Sequence, residues 1–224
     1  EGVVSTQLGL PGKPAMAEEL MVARDIKLAR YAESKLHLTG ISTKKSLEYI
    51  KRAKEGGIAV SCSVTHYHLF FIDEDLSSYD TNLKVNPPLR SNVDRTALQN
   101  AIKDGTVDCI ASHHLPHETD SKVSEFEYAK YGMIGLETAF GVARTTMPSL
   151  EIEALIRLFA INPRKLFNLE PATIQEGAAA SLSLFDPAKK WIFSAEDIRS
   201  KSANSAFTGR ELTGLAAYEP VNTP

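Results

Sequence analysis

The chain has 224 residues, of which 43% are hydrophobic and 24% are charged, and its formal net charge is −3. These values are ordinary for a globular domain and show no basic excess, so bulk charge argues against a nucleic-acid or anionic-membrane partner. No apolar run approaches the roughly 18 residues needed to cross a bilayer.

Neither a basic stretch nor an apolar segment of signal type occurs in residues 1–14, so we expect no secretion signal. Cys62 and Cys109 each lie inside an apolar run of β character. This setting favours buried free thiols in a reducing cytosol over a disulfide or a metal role. The chain is therefore expected to be cytoplasmic.

The first predicted helix follows a loop that is rich in glycine and proline at residues 9–14. Helix formers without a breaker fill residues 15–34, and the apolar positions near helical spacing are Val22, Ile26 and Ala29. Residues 36–42, LHLTGIS, then form an apolar run of strand length.

A second helix is expected to begin after Ser42 or Thr43 as its cap and to end at Gly56-Gly57. Its predicted buried positions are Leu47, Ile50 and Ala53. Residues 58–65 alternate apolar and small polar side chains, which predicts a strand with one apolar face.

The third helix is expected to open at Asn92 or Asp94 and to close at Gly105, and a strand at 107–112 follows it. Its predicted apolar positions are Val93, Ala97, Leu98, Ala101 and Ile102. Helices that alternate with short buried strands are typical of a parallel α/β sheet or barrel. A barrel needs about eight strands, so three predicted strands indicate only part of one.

Beyond these strands, a helix is predicted at about 150–160. Residues 181–186 and the segment around Trp191 then suggest short β pieces of a different kind.

The histidines are confined to the three predicted strands and the residues just after them. They are His37, His66, His68, His113, His114 and His117. The carboxyl ends of parallel strands face the active site, and imidazole is both a common metal ligand and an acid or base near neutral pH. These positions therefore predict a metal or acid/base site, with a core histidine at His37 and loop histidines elsewhere as the open alternatives.

Several segments resemble class I dihydroorotases of the amidohydrolase superfamily, in the same order along the chain. The most specific is KVNPPLR at 84–90, which is similar to the family's NPPLR loop. The others are LHLTGISTKKS at 36–46, DCIASHHLPH at 108–117, YGMIGLET at 131–138, and LFDPAKKWIFSAEDIRSKSANSAF at 184–207.

The resemblance implies the C-terminal part of a (β/α)₈ barrel over residues 1–175 and a C-terminal β segment, part of a small β-sandwich, over residues 176–224. The N-terminal half of the barrel would lie before residue 1. The implied reaction of this cyclic amidohydrolase is reversible hydrolysis of dihydroorotate to N-carbamoyl-L-aspartate in pyrimidine synthesis, with zinc as cofactor. The resemblance also suggests a homodimer or a complex with aspartate transcarbamoylase.

By the same resemblance, Asn86 hydrogen-bonds the dihydroorotate ring and His117 contacts the substrate carboxylate. Tyr131 and Gly132 line the pocket through their backbone groups. An Asn86 that only forms the turn before Pro87-Pro88, and a His117 that is only a surface loop residue, remain the alternatives.

Two positions depart from the family pattern at the metal. The family's ligand histidine in H-x-x-H-x-S-T falls on Gly40, and its ligand and proton-shuttle aspartate falls on His113. We expect His37 to replace the first ligand, and His113 to act as the second ligand and as the catalytic base. The family's Pro-His-His reads His66-Tyr67-His68.

Three functional interpretations follow from this combination. The first is a dihydroorotase with a rearranged metal centre, and the second is a catalytically degenerate scaffold that binds a partner such as aspartate transcarbamoylase. The third is a hydantoinase or allantoinase, against which the intact NPPLR motif argues.

Overall fold

A computed structural model describes residues 2–177 and 182–217. Its helices are α1 Val3–Leu8, α2 Ala15–Tyr31, α3 Lys44–Glu55, α4 His66–Phe70, α5 Asn92–Lys103, α6 Ala139–Thr146, α7 Ile152–Ile156 and α8 Asn162–Leu166. Its strands are β1 Leu36–Leu38, β2 Val60–Thr65, β3 Cys109–Ala111, β4 Leu184–Ile192 and β5 Glu211–Ala217. Among these helices none is long and apolar enough to cross a membrane.

The first three strands form a parallel sheet in the order β1-β2-β3. Helix α3 connects β1 to β2, and helix α5 lies between β2 and β3 in the chain. The sheet and these helices enclose the larger of two apolar cores, which contains Ile50, Cys62, Val64 and Leu98. The alternation predicted from the sequence is therefore the observed α/β arrangement.

The predicted helical faces of α2 and α3 are the faces that become buried. Val22, Ile26 and Ala29 are buried on α2, and Leu47, Ile50 and Ala53 are buried on α3. Thr43 caps α3, because its hydroxyl accepts a hydrogen bond from the Ser46 backbone amide.

The strands are shorter or more buried than the sequence suggests. Strand β1 ends at Leu38 and not at residue 42, since Gly40 turns the chain with φ +72°. Both faces of β2 are buried, because it is the central strand of a sheet covered on its two sides. Helix α5 begins at Asn92, one of the two predicted starts, with Ser91 as its cap, but Val93 is 64% exposed in the first turn and not on the buried face.

The later part of the chain forms a second layer. The predicted helix at 150–160 is divided into α7, a π-helical stretch Arg157–Ile161, and α8. Strands β4 and β5 form an antiparallel pair, and β5 packs against α6. The domain boundary at 175/176 stays a prediction, and residues 178–181 and 218–224 of the predicted β segment lie outside the described residues.

A carboxylate on α2 holds the loop that follows β1. Glu18 Oε1 accepts hydrogen bonds from the backbone amides of Ser42 and Thr43, at 3.1 Å each, and both hydroxyls donate to the same carboxylate. Arg90 Nε donates to Ser42 Oγ at 3.2 Å, and its Nη1 donates to the Lys13 carbonyl at 2.6 Å. These hydrogen bonds connect α2, the β1–α3 loop and the loop at 84–90.

His68 of α4 hydrogen-bonds to the same 84–90 loop. Its Nε2 donates to the carbonyls of Pro87 and Pro88 at 3.1 and 3.2 Å, and its Nδ1 accepts from Thr65 Oγ1 at 2.7 Å. The side chain is almost completely buried, and burial lowers the pKa of His68 to about 4. The ring therefore folds as a neutral imidazole.

Replacing Glu18 with alanine is expected to lower the free energy of unfolding by about 1–3 kcal/mol, because two backbone amides and two hydroxyls lose a charged acceptor. Chemical denaturation measures this loss. Glu55→Ala, at an exposed position on α3, is the matched control and should change stability by less than about 0.5 kcal/mol. Equal losses of unfolding free energy in the two variants would contradict the role of the Glu18 hydrogen bonds.

The neutral state of His68 predicts a loss of stability in acid. The unfolded chain protonates this ring near its ordinary pKa of 6.5, whereas the folded chain does so only near 4. Unfolding therefore takes up a proton between these values, and stability falls as the pH drops through that window. Melting temperatures measured across it should fall less steeply in His68→Gln, and an unchanged slope would contradict the assignment.

Candidate active site

The carboxyl ends of β1, β2 and β3 meet at one edge of the parallel sheet. Thr39 follows β1, Tyr67 follows β2, and His113 follows β3. The strands are in register with His37 opposite Ser61 and with Thr65 opposite Ala111. Three segments that are far apart in the sequence thereby form one wall of the candidate site.

The His113 ring is packed between its neighbours on this wall. Its Nε2 lies 2.9 Å from Thr39 Oγ1, and its Nδ1 lies 3.4 Å from the Tyr67 hydroxyl. Ser63 Oγ donates to Thr39 Oγ1 at 3.0 Å and extends the hydrogen-bonded row. Burial lowers the pKa of His113 and raises the pKa of Tyr67 to about 12, so both side chains are neutral at pH 7.

His37 has a separate set of contacts. Its Nδ1 lies 2.8 Å from Ser61 Oγ, and its ring packs edge-on against Phe167 at 5.9 Å between centroids. Burial lowers its pKa. His37 precedes Thr39 by two residues, so in extended chain it lies about 6.6 Å from Thr39, toward the amino end of β1.

The expected zinc ligands do not fit a metal in this arrangement. Within residues 2–177 and 182–217, no three histidine, cysteine, aspartate or glutamate side chains are grouped so that they could hold a metal ion. Gly40 contributes no ligand atom, and the partners of His37 and His113 are hydroxyl groups and an aromatic ring. The described residues therefore do not supply the ligand set that the family resemblance implies.

Asn86 and Tyr131, two of the residues expected to bind substrate, lie near the side chains of lysines. Asn86 Oδ1 accepts a hydrogen bond from Lys13 Nζ at 3.0 Å. Lys13 Nζ also lies 4.3 Å from the centroid of the Tyr131 ring, and Lys84 Nζ lies 4.8 Å from the same centroid. The sequence reasoning missed Lys13, because the Gly-Pro-rich stretch around it predicts only a loop.

His117 is hydrogen-bonded to the backbone of the Tyr131-Gly132 segment, directly and through Asn204. Its Nε2 donates to the Tyr131 carbonyl at 2.9 Å, and its backbone amide donates to Asn204 Oδ1 at 3.0 Å. Asn204 Nδ2 donates in turn to the Gly132 carbonyl at 3.3 Å. Asn204 was also missed as a positioning residue, although it stands in the SKSANSAF motif.

A cavity of about 310 Å³ lies between the loop after β1 and the loop at 84–90. Of the predicted site residues, Asn86 lines it, whereas His37, His113, His117, Tyr131 and Gly132 do not. It is lined by Thr39 and Gly40 on the sheet side and by Asn86 on the loop side. The charged residues on its wall are two cations, Lys13 and Arg90, and two carboxylates, Glu18 and Asp25. The cavity therefore suits a small polar molecule, and Lys13 is the cation on its wall that also contacts Asn86.

The chain is similar in sequence to dihydroorotases. It is 40% identical to the dihydroorotase of Geotalea daltonii over 99% of this chain and 53% of that protein. It is 43% identical to the dihydroorotase of Caldicellulosiruptor saccharolyticus over 95% of this chain and 50% of that protein. No protein-family model matches the chain.

A solved structure gives the same result for the fold. The L-hydantoinase (dihydropyrimidinase) of Arthrobacter aurescens superposes with a TM-score of 0.83 at 26% identity, over 91% of this chain and 47% of that one. The chain thus spans about half the length of the proteins that it matches. In sequence the chain is similar to about half of a dihydroorotase, and in fold it is similar to about half of the L-hydantoinase.

Proposed function

We propose that this chain forms the substrate-binding part of a dihydroorotase, which reversibly hydrolyses dihydroorotate to N-carbamoyl-L-aspartate. The observation that carries the proposal is the position of Asn86 on a cavity whose wall also contains Lys13 and Arg90. Similarity to dihydroorotases over almost the whole chain supports the choice of substrate.

The chemistry of the substrate matches these side chains. Dihydroorotate is a cyclic imide with a carboxylate, and an asparagine amide offers both a donor and an acceptor to such a ring. Lys13 and Arg90 offset the negative charge of the carboxylate. His117, Tyr131 and Gly132 lie outside this cavity; Tyr131 lines a neighbouring cavity that shares Lys13 and Arg90, and Asn204 holds the three residues together. Their contacts with the substrate stay predictions of the family resemblance.

His113 is assigned to proton transfer in the hydrolytic direction. As a neutral imidazole, it has the protonation state of a general base, and its Nε2 is held by Thr39 Oγ1, which lines the cavity. We assign it to take the Thr39 hydroxyl proton while that hydroxyl takes a proton from the attacking water. The ring amide bond then breaks, and its nitrogen receives a proton as it leaves. Zinc stays a prediction of the family resemblance, and no step is assigned to it because the described residues do not fit it.

The departures at Gly40 and His113 favour a second candidate function. In this alternative the chain keeps the dihydroorotase fold without turnover and assembles with a partner such as aspartate transcarbamoylase. A homodimer is the partner arrangement proposed for the active form, and both forms are proposed to act in the cytoplasm.

The binding proposal predicts that Asn86→Ala weakens dihydroorotate binding about tenfold, because one hydrogen bond to the ring is lost. Isothermal titration calorimetry on the full chain measures this change. Asn100→Ala, at an exposed position of α5, should bind as the parent does. Dihydrouracil, which lacks the carboxylate, should bind much more weakly than dihydroorotate, and equal affinities would contradict the assignment of Lys13 and Arg90.

The catalytic proposal predicts that the parent hydrolyses dihydroorotate and that His113→Ala lowers kcat/KM by about 100-fold or more, since a general base is lost. A spectrophotometric assay of ring opening, with zinc content determined on the same samples, measures both properties. If the parent binds dihydroorotate but shows no turnover, the catalytic proposal fails and the degenerate scaffold is favoured.

A further inference from the structure

Gly40 and His113 occupy a single packing site. A Cβ atom added to Gly40 would lie 2.6 Å from His113 Cε1 and 3.3 Å from its Nε2. Carbon atoms in contact are normally about 3.5–4.0 Å apart, so a side chain at residue 40 and the present His113 ring exclude each other. Gly40 also has φ +72°, where a side chain is strained in any case.

The His113 ring is fixed in this space from two sides. Thr39 Oγ1 and the Tyr67 hydroxyl face its two nitrogens, at 2.9 and 3.4 Å. A metal ligand needs a free nitrogen lone pair pointing at the ion, and turning the ring to provide one would break both contacts. Tyr67 is almost completely buried, so its hydroxyl would lose its partner without gaining water.

We infer that the glycine at 40 and the histidine at 113 form one coupled exchange, in which the His113 ring fills the space of a missing side chain and neither position binds metal. The inference rests on the proposed function only for the correspondence with the family's ligand positions. In this exchange, a pair of metal ligands is replaced by a packed, hydrogen-bonded group of three side chains, those of Thr39, Tyr67 and His113. The two departures are thus one structural change and not two separate losses.

A double-mutant cycle on melting temperature tests the coupling. Gly40→Ala is made in the parent and in His113→Asp, so that the backbone strain at residue 40 is present in both and cancels. The melting temperature should fall by about 5 °C more in the parent, because only there does the new Cβ meet the imidazole ring. Equal falls in the two backgrounds would overturn the inference.

Gly57→Ala is the matched control for this cycle. Gly57 has a similar φ of +77°, but an added Cβ would meet no atom within 4 Å. Its substitution should cost the same in the parent and in His113→Asp. A background-dependent loss at Gly57 would show that the difference at Gly40 does not come from contact with His113, and would equally overturn the inference.

Zinc content gives a second readout that does not depend on turnover. The parent and His113→Ala are incubated with zinc ion alone, desalted and analysed by atomic emission. The same zinc content per chain is expected in both, whatever its value, because His113 is not a ligand. A lower content in His113→Ala would overturn the inference, while failure of dihydroorotate hydrolysis would affect only the proposed function.

Discussion

The hydrogen bonds of one carboxylate determine how the candidate site is assembled. Glu18 on α2 binds the backbone at Ser42 and Thr43, and Arg90 reaches the same point from the 84–90 loop. The Arg90–Ser42 hydrogen bond directly links the loop that contains Gly40 to the loop that contains Asn86, and Glu18 holds Ser42 in place for it. Glu18 and Arg90 line the same cavity as Gly40 and Asn86.

Much of the fold could be predicted because helices and parallel strands depend on local patterns. The buried face of α3 follows from Leu47, Ile50 and Ala53 at helical spacing. The end of β1 could not be predicted, since it depends on a positive φ at Gly40 that accommodates a ring 73 residues away. The shortness of β3 and the division of the later helix also arise from tertiary packing that a pattern does not contain.

The candidate site was predictable in its residue types but not in its contacts. Motifs point to Asn86, His117, Tyr131 and Gly132, whose roles stay predictions, whereas Lys13 contacts Asn86 across 73 positions of the chain. No local pattern signals such a contact. Likewise, the sequence presents Gly40 and His113 as two unrelated departures, and only the three-dimensional structure places the ring of one over the backbone of the other.

The central claim is that His113 is a packed, neutral, hydrogen-bonded side chain and not a metal ligand. Long-range ¹H–¹⁵N correlation spectra of its ring, recorded before and after one equivalent of zinc, test this most directly. We expect one protonated and one unprotonated ring nitrogen, with shifts that zinc leaves unchanged. A zinc-dependent shift of either His113 nitrogen would contradict it.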